Sequence, residues 1–282
     1  MSVPFSLCTV ESGGRPIACI EREGRYFRLP SDLMTLLAQG APLDTLTASE
    51  EVKADRVLTP LQYPGKVLCA GANYYDHLKE MGVPDLRKEA QRLFFFFKPP
   101  RNALVGPGRT VRYPADSRMF DWEVELAAVI GRRSRRLTMA NALDAVAAYT
   151  IGIDLSARDL NRAPETFYKL DWVAGKAQDT GCPLGPRLVP AKFIRDPQDL
   201  ALKLSVNGEV KQDARTSGMI FDLREQLVTL SAIMTLDPGD VVLTGTPAGV
   251  GFPKQTFLKP GDRIDAEIES IGRLSVEIGE PA

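Results

Sequence analysis

The stretch from Met119 to Ile130 (MFDWEVELAAVI) constrains this chain more than any other. It ends in an apolar run that reads as a buried strand, closed by Gly131 and a basic turn. Yet it carries acids at 121, 123 and 125. Side chains of a strand alternate faces, so the three acids share one face and Trp122, Val124 and Leu126 share the other. Two bare charges ~4 Å apart repel by about 4 kcal/mol at an effective dielectric of 20. A hard divalent cation with oxygen ligands offsets such repulsion directly. The alternative is a solvated edge strand that happens to carry acids.

A second apolar run, Thr150-Ile151-Gly152-Ile153-Asp154-Leu155, is interrupted by one acid. A buried carboxylate needs a partner. Glu123, Glu125 and Asp154 together make a three-carboxylate site with its other positions open to water or substrate. That donor set suits Mg²⁺, which keeps several waters and takes few carboxylates. It does not suit zinc, because the chain has one histidine and no paired cysteine spacing.

Composition narrows the partners. The 282 residues carry a formal net charge of −1, so no electrostatic case exists for nucleic acid or an acidic membrane surface. The dense basic run at Arg132, Arg133, Arg135 and Arg136 reads as a solvated turn. Cys8, Cys19, Cys69 and Cys182 are scattered without a CxxC, which fits free thiols in a reducing compartment. With no signal-peptide pattern and no apolar run of membrane-spanning length, the expected location is cytoplasmic.

In chain order, residues 1–64 read as a small separate α+β unit, with a capped helix over 31–39, and Tyr63-Pro64-Gly65 marks the boundary to the unit 65–282. A short strand from Lys66 then runs into a polar helical segment. There His77 and Glu80, three apart, share a helix face. A carboxylate on one imidazole nitrogen orients the ring and leaves the other as a general base. A surface His–Glu pair is the plain alternative, but His77 is the chain's only histidine base candidate. Residues 82–92, rich in charge at Asp85, Arg87, Lys88, Glu89 and Arg92, read as a mobile surface helix. Leu93 to Phe97 reads as a core strand, with Lys98 snorkelling at its end. Thr138 to Tyr149 reads as an amphipathic helix, 158–176 as an irregular functional loop, and 221–233 as a helix. The glycine-rich turn Gly245 to Gly251 offers backbone N–H groups and the Thr246 hydroxyl to an anion, without the Gly-Lys-Ser/Thr ending of a P-loop.

These motifs, in this order, resemble the fumarylacetoacetate hydrolase family in its acylpyruvase-like branch. The matching pieces are Gly71 to His77, Phe97-Lys98-Pro99, Glu123-Val124-Glu125-Leu126, Asp154 to Asp159, Gly175-Lys176, Ser217 to Phe221 and Leu243 to Gly251. The resemblance implies a mixed α/β fold: a rolled β-sandwich with flanking helices over 65–282, beside the small N-terminal unit, usually as a homodimer. It implies Mg²⁺ or Mn²⁺ on Glu123, Glu125 and Asp154, and His77 with Glu80 activating water under a lid spanning 77–93. It assigns Lys176 to the developing oxyanion, and Arg158 and Thr246 to the substrate carboxylate. The family commonly has Gln where this chain has Asn161, a shorter side chain that still can donate to substrate.

The activity so implied is hydrolytic cleavage of the C3–C4 bond of a 2,4-dioxo acid, an acylpyruvate-type β-diketone, to a 2-oxo acid and a carboxylic acid. A decarboxylase or tautomerase of a 2-oxo diacid would use the same site without hydrolytic water. A non-catalytic protein that binds metal or small acids would need the carboxylates but not both His77 and Glu80.

Overall fold

The computed structural model describes residues 4–83 and 86–281. The fold is mixed α/β and mostly sheet; Leu223–Ile233 is the longest helix among the described residues. The larger sheet is 12-stranded. At its centre the order is Cys182–Pro190, Val146–Ile153, Val124–Ile130, Val241–Leu243, Val67–Gly71 and, at the edge, Phe94–Lys98. A five-stranded sheet runs Glu209–Arg215, Ala201–Val206, Arg263–Ile268, Gly272–Pro281 and Thr110–Tyr113.

The strand Val124–Ile130 has neighbours on both edges and is buried on both faces. Its even residues, Val124, Leu126, Ala128 and Ile130, enter one apolar cluster with Leu202, Leu204, Ile264 and Leu274 of the five-stranded sheet. Its odd residues Ala127 and Val129 enter a second cluster. The period-2 alternation therefore makes this strand the layer between two cores. Helix Leu223–Ile233 covers the first cluster with Leu223, Leu227 and Leu230, a one-sided apolar stripe, and starts with a capping box of Asp222 and Glu225.

Among the described residues, the segment 4–64 does not form a sheet of its own. Ser6–Ser12 joins the large sheet through Leu7 opposite Leu188, and Leu7, Ile20 and Leu33 share the second cluster with Val67, Ala127 and Leu243. The boundary at 64 thus separates chain segments and not hydrophobic cores. All four cysteines are free and buried. Among the described residues no helix is long and apolar enough to cross a membrane.

Four expectations about local structure change. The helix expected over 138–149 is a 3₁₀ turn, Leu143–Ala145, followed by strand Val146–Ile153. Hydrogen-bonding partners on both sides override the helix propensity of its alanines. The phenylalanine run is an edge strand: Phe94 and Phe97 are 41% and 53% exposed, whereas Phe96 is buried. The helix expected over 82–92 shrinks to the 3₁₀ turn Lys88–Ala90, with residues 84 and 85, including Asp85, outside the described residues. The loop 158–176 holds two short helices, Arg158–Asn161 and Trp172–Lys176.

Candidate active site

Strand register builds the acid half of the site. Antiparallel pairing sets Val124 opposite Ile153 and Glu125 opposite Gly152, and one step further Asp154 N–H donates to Glu123 C=O at 2.9 Å. Glu123 and Asp154 are therefore cross-strand neighbours, and Glu125 follows on the same face. Carboxylate oxygens of Glu123, Glu125 and Asp154 all lie within 4.8 Å of one another, and all three side chains are buried. Asp121, expected to share their face, turns elsewhere. Its short strand Phe120–Asp121 pairs with Ser156–Ala157, and its carboxylate accepts from Arg158 Nε at 2.9 Å and from Gly251 N–H at 2.6 Å.

Three cations surround these four carboxylates. Lys176 Nζ sits 2.8 Å from both Glu123 Oε2 and Asp154 Oδ2, and 5.0 Å above the Phe96 ring. An ammonium carries three donors, so one remains for a ligand. Arg158 reaches Asp121 at 2.9 Å and Glu123 Oε1 at 2.6 Å. Lys98, expected to snorkel, is wholly enclosed. Its Nζ lies 2.8 Å from Asp154 Oδ1 and donates to the carbonyls of Leu155, Lys176 and Gly181 at 2.9, 2.6 and 2.9 Å. One lysine thereby ties the Asp154 strand, the helix bearing Lys176 and the turn before Cys182 to a single point.

Four carboxylates face three cations, and among the described residues Glu125 is the one left without a cationic partner. Glu125 has no ion-pair partner among the described residues; its one strong bond is from Gly245 N–H at 2.6 Å. Burial, then Asp154 and Glu123, push its carboxyl well above the usual range. Burial also pushes Glu123 up, but Lys176 and Arg158, with His77, outweigh it and hold that carboxyl below the usual range. For Lys176, burial favours the neutral amine, while Asp154 and Glu123 overcome it and keep the ammonium charged. A buried, unpaired carboxylate beside two oxygen-bearing neighbours fits a hard divalent cation, and the donor set is all oxygen.

The base half rests on helix Tyr75–Glu80. His77 Nδ1 lies 2.7 Å from Glu80 Oε1, and Glu80 Oε2 accepts from Gly249 N–H at 2.8 Å. The carboxylate fixes the proton on Nδ1 and leaves Nε2 as the free nitrogen. His77 is buried and lies on the Glu123 side of the acidic cluster.

The glycine-rich turn serves the protein's own acids and not an external anion. Gly245, Gly249 and Gly251 each give an N–H to a different carboxylate, of Glu125, Glu80 and Asp121. At Gly249, φ is +107° and an added Cβ would fall 2.0 Å from Lys211 O, so only glycine fits. The Thr246 hydroxyl donates to Val124 C=O at 2.9 Å and accepts from Gln212 Nε2 at 2.8 Å. Asn161 Nδ2 donates to Asp171 C=O at 3.1 Å, and its Cβ packs so close to Gly175 that an added Cβ there would lie 2.4 Å away. Arg158 and Thr246, expected to hold substrate, are thus both turned to protein groups here. Gln212, from the five-stranded sheet, was not foreseen: wholly buried, it accepts from Val124 N–H at 2.9 Å and braces Thr246 and Pro247.

With this geometry in place, comparison with known proteins settles the class. The chain belongs to the fumarylacetoacetate hydrolase family: residues 66–278 match its C-terminal domain, Fumarylacetoacetate (FAA) hydrolase C-terminal. It is 39% identical over 256 residues to the mitochondrial oxaloacetate tautomerase FAHD2A of Bos taurus, covering 86% of this chain and 78% of that one. It superposes with a TM-score of 0.83 on a fumarylacetoacetate hydrolase of Exiguobacterium antarcticum, 34% identical, over 98% of this chain and 99% of that one. Fumarylpyruvate hydrolase of Pseudomonas aeruginosa, solved with Mn²⁺ and pyruvate, gives a TM-score of 0.70 at 32% identity, over 80% of this chain and 93% of that one. Members of this family are enzymes, hydrolases and tautomerases among them, and a divalent metal fits the buried acidic cluster.

Proposed function

We propose that this chain is a metal-dependent hydrolase that cleaves the C3–C4 bond of a 2,4-dioxo acid, releasing a 2-oxo acid and a carboxylic acid. The observation that carries this reading is the oriented His77–Glu80 pair beside the Glu123–Glu125–Asp154 cluster. When bound on these three carboxylates, Mg²⁺ or Mn²⁺ would supply Lewis-acid polarisation of the substrate's 2-oxo-acid end. His77 Nε2 takes a proton from water, and Glu80 stabilises the imidazolium that forms. The hydroxide adds to the distal carbonyl. The oxyanion is met by the remaining donor of Lys176, and by the Asn161 amide if it leaves Asp171. The C3–C4 bond breaks, and the proton held by His77 passes to C3. In the arrangement seen, Arg158 and Thr246 position Glu123 and the Val124 backbone; Thr246 can donate to the substrate carboxylate only by giving up its bond, whereas the Arg158 guanidinium keeps N–H donors beyond those spent on Asp121 and Glu123.

A second reading is favoured by the likeness to an oxaloacetate tautomerase. The same imidazole would move a proton between C3 and the 2-oxo oxygen of a 2-oxo diacid, with no water consumed. Metal-loaded enzyme should be given acylpyruvates and the enol of oxaloacetate in parallel. Release of a 2-oxo acid and a carboxylic acid supports the hydrolase. Accelerated keto–enol exchange without cleavage of any acylpyruvate would make the tautomerase the correct reading.

A further inference from the structure

We propose that Gln212 is a positioning residue for the acidic cluster: its amide replaces the backbone of a missing strand and fixes Val124, the residue between Glu123 and Glu125. This rests on the cation reading above and deepens it. Toward its Glu123 end, the strand Val124–Ile130 loses one neighbour at Ala127, opposite Leu243, the last residue of Val241–Leu243. Asp154 N–H takes the C=O of Glu123 on the other edge, so the N–H and C=O of Val124 point to the edge that Val241–Leu243 no longer covers. Side chains meet them instead. Thr246 Oγ1 donates to Val124 C=O at 2.9 Å, and Gln212 Oε1 accepts from Val124 N–H at 2.9 Å. Gln212 Nε2 donates to Thr246 Oγ1 at 2.8 Å and to Pro247 C=O at 2.9 Å, which aims the Thr246 proton at Val124. A primary amide carries the donor and acceptor of a peptide group, so one side chain serves as a stretch of strand.

The strand that carries Gln212 is shaped for this role. Along Glu209–Arg215 burial runs against hydrophobicity: Val210 is 50% exposed, whereas Gln212 is wholly enclosed. An apolar side chain of its size would pack there without needing partners, so the amide is explained by its bonds and not by packing. Pairing with Ala201–Val206 slips between the pairs Leu204–Gln212 and Ser205–Val210, which leaves Lys211 as the extra residue of a bulge. Bulges re-aim side chains, and this one sits beside the amide that reaches in from a sheet otherwise stacked on apolar residues. Glu123 and Glu125 flank Val124 in the strand, so a shift of Val124 moves both carboxylates together. Such a shift would spoil a cation held between them and leave the apolar cores intact. Gln212 acts through Val124 and Thr246 and touches no reacting atom.

Calorimetric Mn²⁺ titration and thermal melting of the full chain test this. Gln212→Met keeps the volume and removes the amide. Its Mn²⁺ affinity should fall by roughly 10- to 100-fold, the range for groups that orient metal ligands. Thr246→Val acts on the same residue from its C=O side and should also lose Mn²⁺ affinity, which keeps the test open if Gln212→Met does not fold. In metal-stripped protein, hydrogen exchange of Val124 N–H should speed up in Gln212→Met more than that of the other amides of its strand. Ser231→Ala is the control: on the helix Leu223–Ile233 it removes a buried bond from Leu137 N–H, so it should lower the melting temperature and leave Mn²⁺ affinity unchanged. A merely structural Gln212 would behave like that control. Unchanged Mn²⁺ affinity or unchanged Val124 exchange in folded Gln212→Met would overturn the proposal, as would unchanged affinity in Thr246→Val should Gln212→Met not fold. No Mn²⁺ binding by wild type would remove the cation itself and this role with it. Binding by wild type at the same affinity as Gln212→Met would remove the role alone.

Discussion

The acid half of the site is made by strand register, whereas the base half hangs on a helix of six residues. Glu123, Glu125 and Asp154 sit on two central strands flanked by apolar cores, and the turn 245–251 fixes their surroundings through backbone N–H groups. His77 and Glu80 are tied to that frame by the bond from Gly249 N–H, and the segment after them by the Lys88–Glu225 pair. The difference teaches a division of labour. The acidic cluster belongs to two central strands, while the His77–Glu80 pair, proposed as the base, belongs to a helix of six residues. Each half should therefore fail separately.

The largest expected effect is in the base half. His77→Ala should lower kcat for acylpyruvate hydrolysis by roughly 10²- to 10⁴-fold, the range of one general base. Single-turnover and steady-state rates check this. A loss below tenfold would remove His77 as the base. If oxaloacetate tautomerisation falls equally, His77 serves a proton transfer common to both reactions.

In the acid half, Lys98→Met breaks a buried ion pair and strips a shared donor from three carbonyls. Breaking such a pair typically costs about 3–5 kcal/mol. Chemical denaturation should show that order of loss. A change within about 1 kcal/mol of wild type would mean that Lys98 is not the anchor described.

Glu125 makes the acid half sensitive to pH. Its folded-state carboxyl is raised, so its contribution to stability is full below the unfolded value, near 4.3, and is lost as pH rises through the folded one. Metal-stripped protein should lose melting temperature as pH climbs from about 4.3 upward, and Mg²⁺ should restore most of it at neutral pH. Identical melting profiles with and without metal would separate Glu125 from the cation.

Lys88→Ala gives the smallest effect, because its ion pair with Glu225 is partly exposed. About 0.2–1 kcal/mol is expected, shrinking with added salt. A salt-independent loss above this range would mean that packing, and not the ion pair, holds the segment.

Much of the acid half was legible in the sequence. The alternation at 123 and 125 and the lone Asp154 in an apolar run are local patterns, and antiparallel pairing merely brought them together. The strand from Lys66 and the helix over 221–233 were legible for the same reason. The partners were not. Lys98 looked like a strand end because nothing local shows that three carbonyls 57 to 83 residues away converge on it. Gln212 lies in a polar-looking strand, and its task appears only when the five-stranded sheet stacks on Val124. The glycine turn advertised free N–H groups correctly, but their acceptors are carboxylates up to 169 residues away in the chain. The segment 138–149 misled because alanines favour helix in isolation, a preference that two neighbouring strands overrode.

The separability of the two halves is tested most directly by calorimetric Mn²⁺ titration of wild type, His77→Ala and Glu125→Gln. Glutamine keeps an acceptor for Gly245 N–H while removing the charge. The account predicts unchanged Mn²⁺ affinity in His77→Ala and a loss greater than about 100-fold in Glu125→Gln, beyond what outer-shell changes cause. Wild-type affinity in Glu125→Gln, or an equal loss in both variants, would contradict it.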